Sequence, residues 1–178
     1  TASGTYNTRH VGSGKATIID VALSGADSAN YALIDAEGNA RMVDILQKPH
    51  SKRVAIAEGF IRLSPQSLQS IALGNNKKGN VLAIAQLAGI GGTKRTADLI
   101  PLCHPIPIDA VSVELQPVEH GVQIRATVGT VWKTGVEMEA LTAVSTAALT
   151  IYDMLKAIDK EMVIEQIRLL EKHKQPLQ

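Results

Sequence analysis

The chain has 178 residues, enough for one domain with a short extension. It is 45% apolar but only 3% aromatic, with a net charge of +1, so its core is built from Ala, Val, Ile and Leu and no base-stacking platform or strongly basic nucleic-acid face is expected. A single cysteine excludes an internal disulfide, and no apolar run reaches the roughly 20 residues of a membrane span.

Residues 1–30 are rich in Gly, Ser, Ala and Thr, with Arg9, His10 and Lys15 preceding the first acid, Asp20. This composition reads as a flexible N-terminal extension or linker, or the remnant of a basic transit peptide. Ala16–Leu23 has some strand character. The domain proper is expected over residues 31–172, closed by a short polar tail, 173–178.

Within it, Arg53–Leu63 alternates as a strand. Ser64 and Pro65 form an N-cap and first helical position for a short helix, Gln66–Leu73, closed by Gly74. Val81 to about Ile100 reads as one helix, with Gly91 and Gly92 as places where it would kink. Val111–Leu115 and Val122–Val128 alternate as a hairpin turning through Pro117–Gly121. Val136–Asp159 carries an apolar stripe at Leu141, Val144, Ala148, Ile151, Leu155 and Ile158, and Met162–Leu170 reads as a last strand. Strands and helices are mixed and a hairpin is present, which predicts an α+β domain.

The chemistry-bearing residues admit two readings each. His104, between Pro101 and Pro105, is either structural or a rigidly held functional group. Cys103 is adjacent to it, and neighbours in an extended segment point apart, so a thiol–imidazole dyad is disfavoured. The five histidines show no metal-ligand spacing. Ala88–Thr96 fails the phosphate-loop pattern and reads as a helix packed closely through small residues. Lys78 lies in a solvated turn that could also meet phosphate. Glu137 and Glu139 suit a helix start by the macrodipole alone, and Asp153 with Lys156 suits a surface ion pair. Glu137 and Asp153 are roughly 24 Å apart along a straight helix. One small substrate cannot easily touch both in a single subunit, so a site shared between two subunits is expected, with Lys78 as a candidate from the partner chain.

Met42-Val43-Asp44, Ile84–Gly89, Leu99–Pro105, Thr134–Thr142 and Leu149–Lys156 together resemble the signature blocks of the cyclic pyranopterin monophosphate synthase family, the molybdenum-cofactor biosynthesis protein C (MoaC) proteins. The resemblance covers roughly residues 33–172. It implies a ferredoxin-like antiparallel sheet packed with helices, assembled as a homohexamer, a trimer of dimers with sites at the dimer interface. It implies a lyase that converts 3′,8-cyclo-7,8-dihydroGTP into cyclic pyranopterin monophosphate and diphosphate.

Carried over position by position, the resemblance implies catalytic roles for Asp153, Lys156, Glu137, Glu139 and His104. It implies substrate contacts at Leu102, Cys103, His104, Met138, Glu139, Lys78, Arg53 and Lys172. No metal site or required cofactor is implied, although Mg²⁺ accompanying the triphosphate is compatible with it. A bacterial member would be cytoplasmic and a eukaryotic one would work in the mitochondrial matrix. Leu155 stands where relatives commonly have Cys, and the residues after Lys172 lack a Gly- and Lys-rich tail. The alternative, from another class, is a non-catalytic ferredoxin-like nucleotide-binding or assembly protein that has kept the pocket.

Overall fold

The computed structural model describes residues 38–177. The expectations for residues 1–30 lie outside them. Among the described residues a compact unit begins at Ile45, and that unit is the subject below.

Its elements run β1 (Ser51–Arg62), α1 (Pro65–Leu73), α2 (Val81–Thr93), α3 (Thr96–Leu99), β2 (Ala110–Val118), β3 (Gly121–Trp132), α4 (Glu137–Leu155) and β4 (Val163–Pro176). The sheet order is β2-β3-β1-β4, and every neighbouring pair is antiparallel. This is the split β-α-β arrangement of a ferredoxin-like α+β domain, with β1 inserted between two strands that flank it. In β1 and β3 alternate residues are buried: Ala55, Ala57 and Ile61 on the first, Val122, Ile124, Ala126 and Val128 on the second. That face receives α4, whose Ala140, Ala143, Val144, Ala147, Ala148, Ile151 and Leu155 are fully buried. The scarcity of aromatics is answered here by small side chains that let the layers approach closely.

α2 lies against α4 in the same way. A Cβ at Gly89 would press on the Ala143 carbonyl oxygen at 3.0 Å, and one at Gly92 would collide with the Thr146 side chain. Of the two glycines that suggested a kink, Gly92 is therefore a contact point while Gly91 faces open space, and the helix passes through both unbroken. It breaks instead at Lys94-Arg95, where the Arg95 amide bonds the Gly92 carbonyl in a tighter turn before α3 begins. The single helix expected over Val81–Ile100 is thus two.

Other boundaries shift for similar physical reasons. The hairpin turns through Glu119-His120 rather than the wider Pro117–Gly121 segment, since strand pairing extends to Val118 and Gly121. α4 ends at Leu155, where the following turn takes over its carbonyls, and not at Asp159. The last strand continues past Leu170 to Pro176, because β1 goes on pairing with it as far as Ser51. Its charged residues had suggested a tail from His173 onward. Among the described residues no helix is long and apolar enough to cross a membrane.

Candidate functional site

The two ends of α4 each gather a set of the expected residues. At its C-terminal end, the Asp153 carboxylate takes Lys156 on one oxygen and Lys78 on the other, both at 2.7 Å. Lys78 Nζ also donates to the Asp153 carbonyl oxygen at 2.8 Å. All three side chains are about half exposed. Hydrogen bonds from Lys156 and then Lys78 hold the Asp153 carboxyl down at about 2, and the Asp153 carboxylate in turn raises the Lys156 ammonium. Asp153 is consequently an anion at any working pH, and Lys156 a cation.

Lys78 reaches this place because the start of α1 is anchored to the turn that follows α4. Asp159, just past α4, accepts from the Ser64 amide at 2.7 Å, the Ser67 hydroxyl at 3.0 Å and the Glu161 amide at 3.2 Å. Burial alone would raise the Asp159 carboxyl, but these hydrogen bonds outweigh it and the net shift is downward. With α1 fixed by its N-cap, Gly74 turns the chain in the left-handed conformation and the following loop falls against the last turn of α4. Lys78 and Asp153 of one chain are therefore partners. The expectation that Lys78 would come from a partner chain is corrected by that contact.

The N-terminal end of α4 is chemically the reverse. Val136 caps it without a side-chain hydrogen bond, and Glu137 and Glu139 occupy the first turn. Gly135 leaves the space into which the Glu137 carboxylate folds, since a Cβ there would strike it. Glu137 meets Lys172 of β4 at 3.6 Å. Glu139 turns inward and is only 2% exposed, with its Oε2 lacking any hydrogen-bond partner. Burial, reinforced by Glu137, pushes its carboxyl up to about 7 against the opposing pull of its own backbone amide. A carboxyl in this state exchanges a proton near neutrality.

The loop after α3 brings Cys103 within electrostatic reach of Glu139, with His104 next to it in the chain. Its turn is closed by the Cys103 amide on the Ile100 carbonyl oxygen. Its far side is pinned to β3 by the Thr130 hydroxyl on the Pro107 carbonyl oxygen and by the Val131 amide on Asp109. Cys103 and His104 are half-buried, while Leu102 and Met138 are exposed at 36% and 38%. Burial, then the Glu139 charge, raises the Cys103 thiol. It is a neutral thiol near pH 7, which removes the condition a nucleophilic cysteine needs.

Arg53 lies near the start of β1, two residues before Ala55, the register partner of Lys172, and its Nε donates to Ser51 at 2.7 Å. It borders a cavity of about 330 Å³ whose walls include Val54, Ala110, Val111 and Val131. Of the expected site residues only Arg53 lines that cavity, so the charged groups suited to a polyphosphate lie elsewhere. Sequence reasoning had not singled out Asn76, whose amide joins the Lys78 loop to α4. Its signal was the Asn two residues before Lys78, in a segment that ends on Gly79.

Comparison with known proteins bears on both ends of α4. The chain is 61% identical over 137 residues to the cyclic pyranopterin monophosphate synthase of Dinoroseobacter shibae, covering 76% of this chain and 87% of that protein. It is 54% identical over 146 residues to the synthase of Thermomicrobium roseum, covering 81% and 88%. A third relative of the same name, from a Nostoc species, is 54% identical over 148 residues, 82% of this chain and 88% of that protein. The model of the MoaC family matches residues 42–175, which takes in β1 through almost all of β4 and every residue of both clusters. With that span and those identities, the chain belongs to the MoaC family.

Proposed function

We propose that the protein is a cyclic pyranopterin monophosphate synthase. It is a lyase that takes 3′,8-cyclo-7,8-dihydroGTP to cyclic pyranopterin monophosphate and diphosphate in molybdenum-cofactor biosynthesis. Family membership and the names of its relatives support the activity. The observation that carries the site is the meeting of Lys78 and Lys156 on Asp153, two cations on one anion drawn from segments 75 residues apart.

The roles follow from the charges. Closing a cyclic phosphate expels diphosphate, so cations are needed where negative charge accumulates on the leaving group. Lys78 and Lys156 supply them, and Asp153 holds them at a fixed spacing. With its carboxyl at about 2, Asp153 cannot donate a proton, and it is a poor base while both lysines remain attached. Rebuilding the guanine-derived ring into a pterin needs groups that move protons near neutral pH. Glu139 at about 7 meets that need, with Glu137 in the same helix turn and His104 adjacent in the chain to Cys103, which feels the Glu139 charge. Arg53 and Lys172 complete the pocket's positive lining, and Leu102, Cys103 and Met138 form its less polar wall. No resident cofactor is assigned, and Mg²⁺, were it to travel with the triphosphate, would help neutralise the leaving group.

The roughly 24 Å between the ends of α4 means that one substrate reaches both only across two chains. That separation argues for a site shared between two chains, and family membership supports the hexamer, a trimer of dimers, that we assign as the working form. In each site the phosphate end of one subunit's α4 faces the proton-transfer end of another's. The relatives named above are all bacterial, which favours a cytoplasmic setting. The direct test is incubation with the cyclised GTP intermediate while diphosphate release is followed. Turnover is expected. Binding without turnover would leave the protein as a non-catalytic nucleotide-binding relative.

A further inference from the structure

An α-helix ends with four carbonyl groups that lack partners within the helix, and their fate at the end of α4 is informative. The Tyr152 carbonyl accepts from the Lys156 amide, and the Leu155 carbonyl from the Ile158 and Asp159 amides. The other two are satisfied from outside the helix by one short loop. Lys78 Nζ donates to the Asp153 carbonyl oxygen, and Asn76 Nδ2 donates to the Met154 carbonyl oxygen at 3.2 Å.

Asn76 does a second thing with the same side chain. Its Oδ1 accepts the Lys78 backbone amide at 2.8 Å, an Asx turn, while its own carbonyl accepts from the Gly79 amide at 3.0 Å. Gly79 closes that turn at φ +97°, a conformation that a side-chain-bearing residue adopts poorly. Asn76 is half-buried and Lys78 exposed. The exposed lysine thus has its backbone fixed by a residue whose other amide atom is bolted to α4. Without that fixture, Lys78 is a long flexible side chain on a surface loop, and its ion pair with Asp153 alone would hold it weakly.

We propose that Asn76 is a positioning residue for Lys78, setting the lysine against the C-terminal turn of α4 so that its ammonium is presented beside that of Lys156. The proposal rests on the function assigned above for its effect on turnover, but not for its effect on Lys78 itself. Two readouts therefore test it. The first needs no substrate: pulse labelling of amines in the full-length chain, with modification of Lys78 and of its neighbour Lys77 read by mass spectrometry. In Asn76→Ala the labelling rate of Lys78 should rise several-fold while that of Lys77 stays unchanged, because the Lys77 side chain is exposed and its amine, unlike that of Lys78, is not drawn against α4. Equal rates at Lys78 in wild type and variant would overturn the proposal whatever the enzyme does.

The second readout is a double-mutant cycle on kcat/KM with the cyclised GTP intermediate. Asn76→Ala should lower kcat/KM about fivefold by misplacing the ammonium, and it should have no further effect in a Lys78→Ala background. Losses that multiply in the double variant would show that Asn76 acts other than through Lys78 and would overturn the assignment. Asn76→Asp guards against a variant that fails to fold. It keeps the acceptor for the Lys78 amide and removes the donor to Met154, so Lys78 labelling should fall between wild type and Asn76→Ala. Should wild type itself show no turnover, the proposed function fails while the labelling comparison still decides the role of Asn76.

Discussion

The two ends of α4 carry carboxyl groups of the same chemistry in opposite states. Asp153 is exposed and held by two lysines with its carboxyl at about 2, whereas Glu139 is buried, lacks a partner at one oxygen and sits at about 7. Position along the helix explains neither value, since the macrodipole favours an anion at the start of a helix and disfavours one at its end. Local surroundings reverse that preference. Cations surround the carboxylate at the unfavourable end, and desolvation neutralises the acid at the favourable end. One rigid helix thereby presents a fixed charge assembly and a proton-exchanging acid, the division of labour expected where two titratable groups are pushed apart by their environments.

The comparison breaks most severely at the charged end. Lys156→Ala or Asp153→Ala should lower turnover by about 10²- to 10³-fold, through lost charge stabilisation of the leaving group, with the circular dichroism spectrum unchanged. Activity within a few-fold of wild type would reduce the pair to a solvent-screened surface ion pair. At the buried end, Glu139→Gln preserves shape and removes the exchangeable proton, so kcat should fall about 10²-fold across the pH range. A loss confined to KM would make Glu139 a binding group only.

Smaller effects sharpen the same contrast. Lys78→Ala should raise KM for the triphosphate substrate about tenfold and weaken binding of the monophosphate product less, because the lost cation faces the leaving group. Equal weakening of both, measured by calorimetry, would separate Lys78 from the diphosphate. Gly92→Ala tests the helix between the two ends. A methyl directed into Thr146 should cost about 1–3 kcal/mol in urea denaturation and leave the sites' relative contributions alike.

Much of the fold was legible because local chemistry and packing agree. Ser64-Pro65 and Gly74 mark α1 as they do in isolation, and the alternation in β1 and β3 records which face meets α4. Legibility failed where a tertiary partner decides the outcome. β4 pairs through Lys172, His173 and Lys174, whose charges conceal a strand that backbone hydrogen bonds to β1 maintain. Gly92 looked like a weakness in a helix and proved to be a point of close approach.

The site divides in the same way. Asp153 with Lys156 is visible at a spacing of three, but the arrival of Lys78 from the same chain is not, because it depends on how Asp159 anchors α1. Glu139 read as a helix-start acid like Glu137. Only the packing of α4 shows that one points toward Lys172 and the other inward.

The contrast between the ends of α4 is tested most directly by comparing the stability of wild type and Glu139→Gln from pH 4 to pH 8.5. The folded-state value of about 7 lies above the ordinary 4.5, so the folded chain holds this proton more tightly than the unfolded chain does. The stability owed to the neutral acid is complete below about pH 4.5, declines as pH rises, and is gone above about pH 7. Glutamine has no proton to lose. The difference in unfolding free energy should therefore be flat at acid pH and shift in favour of Glu139→Gln between pH 4.5 and 7, by roughly 3 kcal/mol at most, then level off. A difference that stays constant across the whole range would contradict a buried acid near neutrality and, with it, the opposed roles assigned to the two ends of α4.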